Sequence, residues 1–178
     1  KPSSAASDVY KRQVTSHLEH NGCTIQLLSS PVGTSPDLIQ ELCWSPSVES
    51  HGELIVQDTK KGRKLILSAS GVDYTKGNEE LLLAFERLLE RRKDLHGQVV
   101  LMLACVAAAS GMKIYEDTQR SIEEMAGRIN GRFSQIDWVP IRFSTRRIPY
   151  DEMIAWFCHA DFCCITPLRD FLNLVAKE

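Results

Sequence analysis

The residues best equipped for chemistry stand in two stretches. The first is Ser70-Gly71-Val72-Asp73-Tyr74-Thr75-Lys76-Gly77, between a strand pattern and a helix pattern. Its small residues let the backbone approach a ligand, the free N–H groups and dipole of the next helix favour an anion, and Lys76 adds a mobile positive charge. The spacing is not that of a G-x-x-x-x-G-K-[ST] phosphate loop, and a tight turn with a surface lysine accounts for the local sequence at least as well. The second stretch is Thr166-Pro167-Leu168-Arg169-Asp170-Phe171-Leu172-Asn173-Leu174-Val175-Ala176-Lys177-Glu178. Asp170 and Asn173 can cap a final helix whose N–H groups then open into a cleft. A carboxylate there only accepts hydrogen bonds, which suits a pair of sugar hydroxyls. Glu178 lies eight residues on, about two turns, and can face the same cleft. A capped helix with solvated carboxylates fits these residues equally well in isolation.

Other chemistries are missing from the sequence. No Asp-x-Asp occurs, so the usual carboxylate pair for a metal-held nucleotide diphosphate is absent. The six cysteines (Cys23, Cys43, Cys105, Cys158, Cys163 and Cys164) form no C-x-x-C pair, and no histidine doublet has ligand spacing, so no metal site is expected. His96, His159 and the other histidines form no recognisable nucleophile-relay pattern and read as structural or exposed. Asp137-Trp138 before Pro140 reads as core and turn.

The elements that must position the two stretches follow from the hydrophobic periods. A strand is expected at Thr24–Leu28, then turn residues 29–36, with Ser35 or Asp37 capping a helix through Leu38, Ile39 and Leu42. Residues 46–62 read as a polar connection. Lys64–Ala69 is a strand, Asn78–Lys93 a helix with apolar positions 81, 82, 85, 88 and 89, and Gln98–Cys105 a strand buried on both sides. A helix over Met112–Arg128, a strand at Asp137–Phe143, a helix from Tyr150 to His159, a strand at Asp161–Thr166 and a helix starting at Asn173 complete the pattern. Strands alternating with helices from Lys64 onward predict an α/β fold, a parallel sheet with helices on both faces. In such sheets ligands bind beyond the carboxyl ends of the strands, where both stretches fall.

Length and composition bound the function. The chain has 178 residues, with 21 Lys+Arg against 23 Asp+Glu and a net charge of −2. At 43% hydrophobic and 25% charged it is a folded domain, and the near-neutral charge argues against a nucleic-acid partner. The longest apolar run, Val99–Ala109, has 11 residues where a bilayer needs about 20, and no signal pattern opens the chain. No membrane partner is expected, and the unpaired cysteines fit a cytoplasmic protein.

Four motifs, in order and in register, give the chain a family likeness. Val72-Asp73-Tyr74-Thr75-Lys76-Gly77, Ala126-Gly127-Arg128-Ile129-Asn130-Gly131-Arg132-Phe133, Trp138-Val139-Pro140 and Thr166-Pro167-Leu168-Arg169-Asp170…Asn173-Leu174-Val175-Ala176-Lys177-Glu178 resemble the C-terminal half of the trehalose-6-phosphate synthase family of glycosyltransferases. The resemblance runs from about Ile25 to the end, and Ser30-Pro31-Val32-Gly33 looks like the crossover between that family's two domains. Around Ala107–Tyr115 it is nearest the branch that makes glucosylglycerol phosphate. There Ala109 stands where the trehalose branch has an arginine that grips the phosphate of glucose 6-phosphate, and losing a guanidinium from a phosphate site is not conservative.

The resemblance implies a GT-B architecture of two Rossmann-like domains. Residues 1–13 would be a disordered or non-native start, 14–35 the end of the N-terminal domain and the crossover, and 36–178 the nucleotide-sugar domain, cut short at its C-terminus. It implies a retaining, metal-free transfer of glucose from ADP-glucose, with UDP-glucose as another possible donor, to sn-glycerol 3-phosphate, a step in making a compatible solute. No cofactor is implied; the partners are the nucleotide-sugar, the phosphorylated acceptor and the missing N-terminal domain. Lys76 would neutralise the donor diphosphate, and Asp170 with the backbone of Phe171, Leu172 and Asn173 would hold the glucose hydroxyls. Leu174 and Val175 N–H groups would meet phosphate, Glu178 the ribose, and the base would rest near Ala104 and Ile148. The chain departs from the family at Gly71, where an arginine is usual, and at Phe171, where a glycine is usual. An isolated fragment would turn over little substrate. The alternatives are transfer to glucose 6-phosphate, or a non-catalytic nucleotide-binding module.

Overall fold

The structure is a computed structural model that describes residues 17–20, 22–26, 28, 32–59, 62–107, 111–170 and 172–178. The expected irregular start at residues 1–13, Ser30 and Pro31 of the crossover, Ala109 and Phe171 all lie outside the described residues. The chain divides into two compact units, Lys1–Thr34 and Ser35–Glu178.

In the first unit, β1 (His17–His20) pairs antiparallel with β2 (Cys23–Gln26), His17 opposite Gln26. The strand expected at 24–28 therefore begins one residue earlier, stops at Gln26 and has a partner that the periodicity did not show. The available signal was the Asn21-Gly22 dipeptide, a hairpin turn sequence, with Gly22 at φ 76°.

The second unit runs α1 (Pro36–Cys43), α2 (Pro46–Thr59), β3 (Lys64–Gly71), α3 (Asn78–Arg91), β4 (Val99–Val106), α4 (Lys113–Phe133), β5 (Ile141–Ser144), α5 (Tyr150–His159) and β6 (Phe162–Cys163). The four-stranded sheet has the order β5-β4-β3-β6 and every pairing is parallel. The chain walks outward from β3 to β5, then returns to the other side of β3. With right-handed crossovers this puts α3 and α4 on one face and α5 on the other, and α3 does pack on α4 while α2 packs on α5. The α/β sheet expected from the sequence is the one found.

The described part of 46–62, residues 46–59 and 62, differs from the expectation over 46–59. That stretch is not a connection but α2, opened by Pro46 and by Ser45, whose Oγ accepts a bond from Val48 N at 3.3 Å. Its buried face is Val48, Gly52 and Ile55. A Cβ added at Gly52 would lie 2.3 Å from His159 Nε2, so the glycine lets α2 press against α5. A stripe with glycine at its centre has little hydrophobic period of its own.

Four other elements differ from the expected pattern. Helix α4 continues past Arg128 to Phe133, because Ile122, Ala126 and Ile129 keep one buried stripe running past Gly127. The strand expected from Asp137 starts only at Ile141: Gln135 and Trp138 close a tight turn on each other, which sends the Trp138 indole inward to donate to Val99 O at 2.7 Å. Strand β6 has two residues rather than six, although Cys164 N still reaches Leu67 O at 2.7 Å. The helix expected from Asn173 is a single turn, with Glu178 N bonded to Leu174 O at 3.1 Å.

The core lies on both faces of the central strands. Leu67, Leu101, Leu103 and Cys105 are fully enclosed, with Leu82, Leu89, Ile122 and Ile129 on one side and Ile154 on the other. All of β4 but its last residue is buried, as a two-sided strand should be. Among the described residues no helix is long and apolar enough to cross a membrane.

Candidate active site

A cavity of about 430 Å³ opens beyond the carboxyl ends of β3 and β4, beside the loop that follows β6. Its position is the switch point of the sheet, where the connections from β3 and to β6 diverge. Small residues floor it: Ala69, Ser70 and Gly71 from β3, and Ala104 with Val106 from β4. Lys76, Asp170 and residues 172–175 form its polar and outer wall.

The two chemical loops are locked together by backbone. Asp73 Oδ1 accepts from Thr75 N at 2.7 Å and Thr75 Oγ1 at 2.8 Å, winding Tyr74–Lys76 into one 3₁₀ turn. Thr75 O in turn accepts from Leu168 N at 2.8 Å. Gly77 sits at φ 68°, and a Cβ there would come within 2.0 Å of Thr166 O, so glycine is required for both conformation and clearance. Below, the side chain of buried Asn78 accepts from Ser70 Oγ at 2.9 Å and donates to Gly71 O at 3.3 Å, fixing the floor to the start of α3.

This scaffold brings Lys76 Nζ to 3.0 Å from Asp170 Oδ2, with side chains 30% and 18% exposed. Asn173 Nδ2 donates to the same oxygen at 3.0 Å. Asn173 caps the last turn as expected, its Oδ1 accepting from Ala176 N at 3.1 Å, and Asp170 accepts from the Lys76 ammonium. The N–H groups of Leu174 and Val175, just inside that cap, have no acceptor among the described residues. A cation, a carboxylate and two amides that have no acceptor among the described residues thus meet in one groove. That combination can hold an anion and hydroxyl groups side by side.

Eight of the sequence-selected residues line the cavity: Gly71, Lys76, Ala104, Asp170, Leu172, Asn173, Leu174 and Val175. Two are not brought into its wall. Ile148 packs against the hydrophobic core, and the Glu178 carboxylate accepts from Tyr150 Oη at 3.2 Å. Burial and the Glu178 carboxylate raise the Tyr150 phenol above its ordinary value, so it stays a donor through neutral pH. Met153 of α5 lines the cavity and was not anticipated. Nothing local marks it, since its place depends on how α5 crosses the sheet. Asn78 was legible in principle as a polar residue opening an apolar helix pattern.

The family model for glycosyltransferase family 20 matches residues 4–178. The chain belongs to that family. This family 20 chain is 46% identical over 166 residues, 93% of its length, to a glucosylglycerol-phosphate synthase from Synechocystis, of which it covers 33%. It superposes with a TM-score of 0.83 on an α,α-trehalose-phosphate synthase from Burkholderia xenovorans solved with glucose 6-phosphate, at 35% identity, covering 90% of this chain and 35% of that one. A trehalose-6-phosphate enzyme from E. coli bound with UDP-2-fluoro glucose gives a TM-score of 0.79 at 28% identity, covering 92% of this chain and 38% of that one. The family 20 chain therefore spans about a third of the length of these relatives, and its sheet matches the GT-B fold of the solved enzymes.

Proposed function

We propose that the full-length protein to which these residues belong is a retaining glucosyltransferase that moves glucose from ADP-glucose to sn-glycerol 3-phosphate. The observation that carries this reading is the meeting of Lys76 and Asp170 across the groove, 3.0 Å apart on loops from two different strands. On binding, the donor diphosphate takes over the Lys76 ammonium and the amides of Leu174 and Val175, and Asp170 is released to the glucose hydroxyls. Holding the diphosphate in this way stabilises the charge that grows on the departing nucleoside diphosphate as the glycosidic bond breaks. The glycerol-phosphate acceptor is supported by the 46% identity to a glucosylglycerol-phosphate synthase and by Ala109 in the sequence. Residues 36–178 then serve as the donor domain, the acceptor being held chiefly by a second domain.

A second reading, transfer to glucose 6-phosphate, is favoured by the likeness to trehalose-phosphate synthase structures. One assay separates them: full-length protein with ADP-glucose or UDP-glucose and each acceptor in turn. Glucosylglycerol phosphate as the product supports the proposal. Use of glucose 6-phosphate alone overturns it.

A further inference from the structure

We propose that Cys43 and Cys158 form a thiol modification site, which a small-molecule disulfide of the glutathione class converts to an intramolecular disulfide stapling α1 to α5. The fold brings the two sulfurs, 115 residues apart in sequence, to 3.4 Å, with Cys158 Sγ donating to Cys43 Sγ. Among the described residues no other two cysteine sulfurs are in such contact. Closing a sulfur–sulfur bond of about 2.05 Å from there asks the two sulfurs to approach by about 1.4 Å. Cys158 is exposed and Cys43 stands half-buried behind it, which gives an entry thiol and a resolving thiol. The remaining thiols are arranged differently: Cys105 is buried, Cys163 and Cys164 are adjacent in extended chain with side chains on opposite faces, and Cys23 lies in the other unit.

The exchange balances as follows. The Cys158 thiolate attacks one sulfur of the small disulfide; the S–S bond breaks and the departing thiolate takes up the proton that Cys158 lost. Cys43 Sγ then attacks the Cys158 sulfur of the mixed disulfide, and a second small thiol leaves with the Cys43 proton. The pair loses two electrons and two protons, and the oxidant is reduced to two thiols. Burial and the neighbouring Cys43 push the Cys158 thiol up to about 11, so the exchange is slow at neutral pH and quickens as pH rises.

The bond would matter to the fold because α1 has no fully buried residue and is held by half-buried Ile39, Leu42 and Cys43. It would also tether the C-terminal end of the helix that supplies Met153 to the cavity and Tyr150 to Glu178.

The test treats the folded chain with oxidised glutathione at pH ~8.5, alkylates the free thiols and maps the peptides by mass spectrometry. The expected result is one cross-linked peptide joining Cys43 to Cys158, loss of two of the six thiols and a higher urea midpoint that dithiothreitol reverses. Cys43→Ser and Cys158→Ser should each abolish the cross-link, and Cys163→Ser should leave it. Glutathione adducts confined to single cysteines, or a bond between other cysteines, would overturn the proposal. Peptide mapping of the unsubstituted chain decides even where a serine variant fails to fold.

Discussion

Lys76 and Asp170 lie 94 residues apart in sequence and 3.0 Å apart in space. Neither charge belongs to a regular element: one ends a 3₁₀ turn after β3, the other follows β6. The two side chains carry opposite charges into one groove. In the proposed complex a diphosphate would meet an ammonium already in place, which keeps the reorganisation small.

Gly77 is the joint between the two loops, and its substitution tests that joint. Gly77→Ala should destabilise the domain by about 1–3 kcal/mol, from strain at φ 68° and the clash with Thr166 O. Urea unfolding measures it. A loss below about 0.5 kcal/mol would mean that the loops move apart freely.

Among the described residues, an added Cβ at Gly71 would meet only Val106 O, 3.9 Å away, which leaves room among them for a longer side chain at the cavity floor. Gly71→Arg should strengthen ADP binding by roughly 1.5–3 kcal/mol, tenfold or more, through charge-assisted hydrogen bonds to phosphate. Calorimetric titration reads this directly, and unchanged affinity would show that residue 71 does not face the diphosphate.

Tyr150 holds the Glu178 carboxylate. If Glu178 takes the donor's ribose, ADP should bind more tightly than 2′-deoxy-ADP, and Tyr150→Phe should narrow that preference several-fold with little effect on folding. Glu178→Gln should erase it. Erasure by Glu178→Gln with no change in Tyr150→Phe would leave the carboxylate in its role and remove the tyrosine from it.

Acid stability should report on Glu86. Buried on α3, its carboxylate receives Arg128 Nη2 at 2.8 Å and Arg132 Nη1 at 3.2 Å from α4. Hydrogen bonding and charge from Arg128, then from Arg132, hold it below the ordinary carboxylate range against the opposing effect of burial. A lowered folded value means that the unfolded chain binds the proton first. The stabilisation is complete above the ordinary carboxylate value and is lost as pH falls through the lowered one. Unfolding free energy followed from neutral pH down to about 3 should fall less steeply in Glu86→Gln. Equal slopes would contradict this assignment.

Much of this fold was legible because the local and tertiary demands agree. Pro149 marks the start of α5, and that helix runs Tyr150–His159 as the pattern says; the apolar run from Val99 is the central strand. Both chemical loops could be found because strand ends in a parallel sheet point to one edge. What sequence could not show depends on contacts between distant elements. Gly52 is one more small residue of a polar stretch until the His159 ring lies against it, and Met153 is one more apolar residue of α5 until that helix crosses the cavity. Asp170 looks like a cap in a linear reading, and the lysine that donates to it comes from another strand.

The central claim is that Lys76 and Asp170 share one nucleotide-sugar. Calorimetric titration of the chain with ADP and with ADP-glucose, repeated on Lys76→Ala and Asp170→Asn, tests it most directly. Lys76→Ala should weaken both ligands tenfold or more, about 1.5–3 kcal/mol, and Asp170→Asn should weaken ADP-glucose but not ADP. Equal affinity of all three proteins for both ligands would contradict the account.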